Sequence, residues 1–332
     1  DAALTLPDPA DGPRTAAMAR VVDAGRAAAE RLDRDPTLRA AVEGVPAFRA
    51  LDAAGRRLLD AHVVAEIEHE YGADWGELSA WHYDDAEEFP GGDALIPSGY
   101  DRLLAPLAVG IDLRLNAPVR RVAAQGRGVR VTLADGATLD ADRAVVAVPL
   151  AVLRAGAVTV EGLGDAAAQA ALALGTGLLN KCVLRFGRAF WPGGPGWLNR
   201  VPAVRGAFAQ WVPLPGPVPI LIGFNAAAHA RTLERADDAA TVDEALAALR
   251  EMMGAAVPAP VAAQVSRWAA DPLAGGAYSF HPPGTRARTR RAFAALIAGR
   301  IALAGEYAAE DHPATVHGAV LSGRRAAARL LA

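Results

Sequence analysis

A chain of 332 residues that is 52% hydrophobic and 21% charged, with a net charge of -3, has the composition of a globular protein with room for two packed cores; it is neither a basic nucleic-acid binder nor a disordered chain. Its single cysteine, Cys182, excludes an internal disulfide and any zinc or iron–sulfur site built from clustered thiolates. The apolar segments are short and broken by Gly, Pro or charge, and Asp1 opens a Pro/Asp-containing stretch rather than a signal peptide, so the expectation is no membrane span and a cytoplasmic location.

Residues 14–70 read mostly as helices. Ala16, Met18, Ala19, Val22, Ala24 and Ala27 form a loose amphipathic pattern, Ala50 to Tyr71 repeats apolar positions at helical spacing, and Pro46 marks a break between them. The pattern changes near residue 94. Leu95 to Tyr100 reads as a short extended piece ending in a turn, followed by a helix through about Ala108. Alternating segments come next: Leu113-Arg114-Leu115, Val119 to Val122, Val129 to Leu133, and Leu139 onward, with Asp135-Gly136 as a hairpin turn. Ala144 to Val148 is a nearly all-apolar strand, the pattern of a strand covered on both faces, and Pro149 ends it.

Beyond it lie an Ala-rich helix at 165–174, a strand at Cys182 to Phe186, an aromatic loop at Phe190 to Gly194, a strand at Ile220 to Phe224 and a helix from Thr241 to Met253. Ile301 to Ala304 reads as a buried strand, Gly305 follows it, and a terminal helix runs from about Gly318 to Leu331. The interleaving predicts an α/β and α+β protein of two domains threaded through each other. The expected division falls into segments 1–93, which is mainly helical, 94–150, 151–265 and 266–332.

Eight blocks in order carry a resemblance. They are Pro97-Ser98-Gly99-Tyr100; Asn116 to Val122; Val146 to Leu150; Leu179-Asn180-Lys181 followed by Phe190-Trp191; Trp268 to Pro272; Gly275 to Phe280; Ala304-Gly305-Glu306; and His312 to Ala319. From about residue 80 onward the chain resembles the flavin-dependent amine oxidase family, best its polyamine oxidase and histone-lysine demethylase branch. That resemblance implies most of an FAD domain, in segments 94–150 and 266–332, interleaved with a mixed-sheet and helical substrate domain made of the mainly helical segment 1–93 and of 151–265.

It also exposes a gap, because the family opens with a strand, a Gly-x-Gly-x-x-Gly turn and a helix whose N-terminus receives the FAD pyrophosphate. Here Gly175-Thr176-Gly177 lacks the third glycine and follows a helical pattern, and Gly126-Arg127-Gly128 reads as a hairpin loop. The expectation is that a missing or separate polypeptide supplies the turn, which makes the protein a heteromer in one of three versions; the others are an incomplete chain and a chain that lost that half.

By resemblance, Lys181 is the lysine that holds water near flavin N5. Tyr278 matches one wall of the substrate cage; Thr315 stands at the other, and Phe280 is a candidate to compensate. Val119 matches the backbone that reads the adenine, Trp268 an aromatic wall near the ring, and Glu306 a contact to the FAD ribose or pyrophosphate region. Thr315 and Val316 match the segment along the ring and ribityl chain. Ala277 replaces the cysteine that tethers the flavin in some relatives, so FAD would be non-covalent.

The implied reaction is FAD-dependent oxidation of an amine C–N bond by hydride transfer, with molecular oxygen giving peroxide. The alternatives are an L-amino-acid oxidase or flavin-dependent desaturase on the same framework, or a non-catalytic scaffold. No metal, nucleic-acid or membrane partner is expected.

Overall fold

The structure, a computed structural model, describes residues 4–5, 13–87, 89–90, 94–96, 99–192, 196–254 and 256–332. Pro97-Ser98, Glu88 and Gly193-Gly194 lie outside them.

The N-terminal third is a helical module of Pro13–Ala29, Leu38–Glu43, Pro46–Arg49 and Ala53–Val63. Side chains start two of these helices: Thr37 Oγ1 accepts from the Ala40 amide at 3.2 Å and Asp52 Oδ1 from the Gly55 amide at 2.7 Å. Each such cap stabilises by about 1 kcal/mol. The break expected at Pro46 is there: one helix ends at Glu43 and Pro46 opens the next, where at the first turn its missing N–H costs nothing. Met18, Val22, Leu38, Val42, Leu59, Val63, Ile67 and Leu78 form the core of this module. The last helix continues as a π-helical turn, Val64–Glu68, and a final α turn, His69–Tyr71, which Gly72 ends at φ 64°.

A five-stranded antiparallel sheet follows the order Leu198–Asn199, Gln210–Pro213, Ile220–Ala226, Leu179–Arg185, Ala262–Val265. Alternation gives it two faces. Cys182, Leu184, Trp211 and Leu221 point to one and pack against Ala245 and Leu249 of the helix Asp238–Met253. Leu179, Lys181, Val183, Ile222 and Phe224 point to the other, which is only half covered.

A four-stranded sheet runs Thr138–Ala141, Gly128–Leu133, Val119–Gln125, Thr159–Val160, turned at Asp135-Gly136. Beside it Ala144–Val146 pairs in parallel with Ile301–Leu303, and the terminal helix Val316–Leu331 packs over the latter.

Two expectations about this region are corrected. Leu113-Arg114-Leu115 is not a strand: it is irregular and unpaired, with Leu113 and Leu115 exposed. Nor is Ala144–Val146 covered on both faces, since Val145 is 41% exposed. The reason is shared. Among the described residues each segment lacks a neighbour: 113–115 has no strand to pair with, and the face that carries Val145 has no layer packed over it.

Candidate active site

The half-covered face of the five-stranded sheet is where the predicted residues begin to meet. Lys181 and Phe224 are direct cross-strand partners, so their side chains share this face, with Lys181 Nζ 5.7 Å from the Phe224 ring centre. Trp197 extends the aromatic surface, its ring 5.3 Å from that of Phe224. Partial desolvation against this wall holds the Lys181 ammonium below the usual lysine range. Its backbone is pinned on the other edge, where the Lys181 amide donates to Ser266 Oγ at 2.8 Å. The same corner places Trp268: Asn180 Oδ1 accepts from the Trp268 amide at 3.2 Å, leaving the indole exposed beside the lysine strand.

One step along the adjoining strand, Gln210 points to the same face, because its neighbour Trp211 points to the core. The imidazole Nδ1–H of His69 donates to Gln210 Oε1 at 2.7 Å, and the His69 ring lies 6.1 Å from Phe224. Complete burial pushes the His69 pKa down to about 4, so the ring is neutral near pH 7, and its Nε2 has no partner among the described residues. The backbone carbonyl of His69 accepts the Tyr278 hydroxyl at 2.8 Å. It is free to do so because the helix ends two residues later and the last carbonyls of a helix lack internal partners. Burial, with Glu70 nearby, pushes the Tyr278 phenol above its ordinary range.

From Tyr278 the connections continue to the terminal helix. Ser279 donates its hydroxyl to Glu306 Oε2 at 2.6 Å and its amide to Oε1 at 3.1 Å, and the Ala314 amide also donates to Oε2, at 2.8 Å. Arg290, fully buried, donates to Ser279 Oγ at 2.7 Å and to His281 Nε2 at 3.1 Å. Burial lowers Arg290 to about 10 against the opposing pull of Glu306, and burial and Arg290 together lower His281 to about 3. Gly305 makes this junction possible: its φ of 147° is closed to other residues, and a Cβ there would meet the Tyr307 ring at 2.5 Å.

Thr315 caps the terminal helix, accepting from the Gly318 amide at 3.0 Å and donating to the His312 carbonyl at 2.8 Å. The amides of Val316 and His317, first in that helix, have no acceptor among the described residues. Ala277 is held by its amide on the Gly177 carbonyl at 2.8 Å, next to Tyr278.

Lys181, Trp268, Ala277, Tyr278, Glu306, Thr315 and Val316 thus lie along one run of ring contacts, hydrogen bonds and chain neighbours. Phe280 does not join them: it is buried in the core of the helical module, its ring filling the space a Cβ at Gly175 would take, 2.2 Å away. The large apolar ring gains more from that burial than from a place on a half-open wall. Val119 sits at the head of its strand in the four-stranded sheet, packed on the core beneath it. His69, Gln210, Phe224 and Trp197 were missed by sequence reasoning; Phe224 alone had a signal, its place in the apolar run Ile220 to Phe224. No group of three or more His, Cys, Asp or Glu could hold a metal ion among the described residues, and no helix among them is long and apolar enough to cross a membrane.

With this geometry in place, residues 12–331 match the family described as flavin containing amine oxidoreductase. The chain is 35% identical over 267 residues to polyamine oxidase 4 of Oryza sativa subsp. japonica, covering 80% of this chain and 54% of that protein. It is 32% identical over 292 residues to lysine-specific histone demethylase 2 of Homo sapiens, covering 83% and 35%. The chain therefore spans about half the length of the former and a third of the latter. Its fold is that of solved amine oxidases. A putrescine oxidase redesigned in cofactor binding superposes with a TM-score of 0.74 at 19% identity, over 98% of this chain and 77% of that one. Cyclohexylamine oxidase from Brevibacterium oxydans IH-35A gives 0.71 at 20% identity, over 97% and 76%.

Proposed function

The chain belongs to the flavin containing amine oxidoreductase family, and from that premise we propose that it oxidises the C–N bond of an amine with non-covalent FAD, once a Gly-x-Gly-x-x-Gly turn from outside these 332 residues completes the cofactor site. The observation that carries this reading is the run of contacts from Lys181 across the Phe224 ring to His69 with its partner Gln210, and on by hydrogen bonds through Tyr278 and Ser279 to Glu306. It joins a half-open apolar wall to the free amides that begin the terminal helix.

The residues present fit the isoalloxazine end of FAD. Unpaired amides at a helix N-terminus favour an electron-rich ring edge, and Ala277 offers no thiol for a covalent tether. When bound, FAD supplies the two-electron acceptor: hydride leaves the α-carbon of a neutral amine, and molecular oxygen carries the electrons on to hydrogen peroxide. This chain contributes the surroundings. Phe224, Trp197 and Tyr278 exclude water and orient the amine, and Lys181 Nζ, partly desolvated, holds a water or a proton at the mouth of the wall. Glu306 acts through both oxygens, clamping the Ser279 strand to the Ala314 loop, with lone pairs left for a cofactor hydroxyl.

The proposed partner segment also has a place to dock. Val109, Ile111, Leu113 and Leu115 lie along an irregular stretch that begins in a turn, and all are exposed, up to 82% at Val109. Tyr100, Leu103, Leu104 and Leu107 precede them and are also exposed, and Val145 is exposed on the parallel pair. A polypeptide adding strands and a helix here would bury these apolar side chains. The segments 94–150 and 266–332 would then form one FAD domain, and 1–93 with 151–265 the substrate domain.

The test is the intact natural assembly. Oxidised flavin absorbs in the visible, spermidine added without oxygen should bleach it, and air should then yield peroxide. A colourless assembly that makes no peroxide overturns the oxidase reading and leaves a scaffold. Lys181→Met in the loaded assembly should slow flavin reduction or reoxidation by at least about tenfold; unchanged rates for both would remove Lys181 from its role.

A further inference from the structure

Behind the turn that carries His69 lies a half-open cavity of about 420 Å³, between the helical module and residues 205–229. Glu68 and Arg205 form its floor. Arg205 donates to both oxygens of Glu68, at 2.9 and 3.0 Å, and through Nε to Asp60 at 2.9 Å. Glu68 also accepts from the Trp75 amide at 3.1 Å, and Asp74 from the Gly76 amide at 2.7 Å. Glu43 accepts from Arg39 Nε at 2.8 Å. Every carboxylate of the lining is therefore already met by a donor.

Two arginines of the same lining stand differently. Arg39 and Arg56 each give the protein only their Nε hydrogen, Arg39 to Glu43 and Arg56 to the Leu51 carbonyl at 3.3 Å. Their terminal nitrogens have no acceptor among the described residues. Each guanidinium is braced by an aromatic ring, Arg39 at 5.9 Å from the Trp75 centre and Arg56 at 4.8 Å from the Phe48 centre. Counted as net charge, three arginines against four acids leave the lining slightly acidic. Counted as unfilled hydrogen bonds, it offers two planar donor forks. Contact chemistry follows the second count, because Glu68, Asp60 and Asp74 are grouped on Arg205 and Glu43 on the Nε edge of Arg39.

We propose that this cavity is a second binding site, for a small organic anion carrying two or more carboxylates, held between the Arg39 and Arg56 forks with its skeleton against Trp75 and Phe48. The site is distinct from the Lys181 wall: Glu68 looks into the cavity, and the next residue, His69, bonds to the sheet on the other side. It does not depend on the flavin reading.

Calorimetric titration of citrate into the flavin-free chain tests it without any enzyme activity. Saturable binding at a single site is expected. Arg39→Gln and Arg56→Gln should each weaken it by about tenfold or more, as expected for loss of a charge-assisted fork, while Arg127→Gln, in an exposed turn elsewhere, should leave it unchanged. Both cavity variants replace partly exposed side chains, and a native fluorescence spectrum and melting curve check that they fold. Equal citrate binding by the wild-type chain and the double variant Arg39→Gln/Arg56→Gln overturns the proposal. So does an equal loss with Arg127→Gln, or saturable binding of spermidine in place of citrate.

Discussion

The Tyr278 hydroxyl donates to the backbone carbonyl of His69 at 2.8 Å, joining residues 209 positions apart. One bond thereby ties the C-terminal aromatic wall to the end of an N-terminal helix. Tyr278→Phe keeps the ring and deletes the donor, leaving a carbonyl with no replacement partner. The expected cost is about 1 kcal/mol of stability, read by chemical denaturation, with the ring position less well fixed. Stability equal to the wild type would show that the bond positions nothing.

His69 makes stability depend on pH in a definite direction. Its native pKa of about 4 lies below the unfolded value of 6.5, so the native state refuses a proton that the unfolded chain accepts. Its contribution is complete above about pH 6.5 and is lost as pH falls toward 4, a decline of about 3 kcal/mol for this group. Denaturation midpoints at pH 7, 5.5 and 4 should fall, and His69→Gln should flatten the slope. An identical slope in the variant would assign the acid sensitivity elsewhere.

Cys182 is fully buried, and burial with Asp238 nearby pushes its thiol up to about 12. Thiolate is the reactive form, so the native protein should resist iodoacetamide at pH 8 and react only after denaturation. Mass spectrometry of the treated native chain measures this; rapid modification would contradict the packing of the sheet core.

Glu306 clamps three donors at the junction between Ser279 and the loop before the terminal helix. Glu306→Ala leaves those donors and buried Arg290 without a nearby carboxylate. Hydrogen exchange should accelerate at 312–318 and at 278–280 relative to the rest of the chain. Glu306→Gln, which keeps one acceptor oxygen, should fall between the two.

Much of the fold was legible because it is local. The apolar period of Ala50 to Tyr71, the Asp135-Gly136 turn and the run at Ile301 each record a neighbour-to-neighbour preference that the chain writes in order. The exceptions have separate causes. Leu113-Arg114-Leu115 alternates as a strand does, but pairing needs a second strand, and none of the described residues provides it. The π-helical turn at Val64–Glu68 had no visible signal, because one extra residue in a turn changes which side chains align without changing composition.

Sequence alone determined the family, the absence of a glycine-rich pyrophosphate turn and the identities of Lys181, Tyr278 and Glu306, since these are properties of residue type and order. Only the tertiary structure decided what surrounds them. Strand register set Phe224 opposite Lys181, a helix end left the His69 carbonyl free for Tyr278, and alternation turned Gln210 toward His69. Close packing beneath Gly175 drew Phe280 into the core instead. Each of these is a contact between distant segments, and its free energy exists only when the whole chain has closed around it.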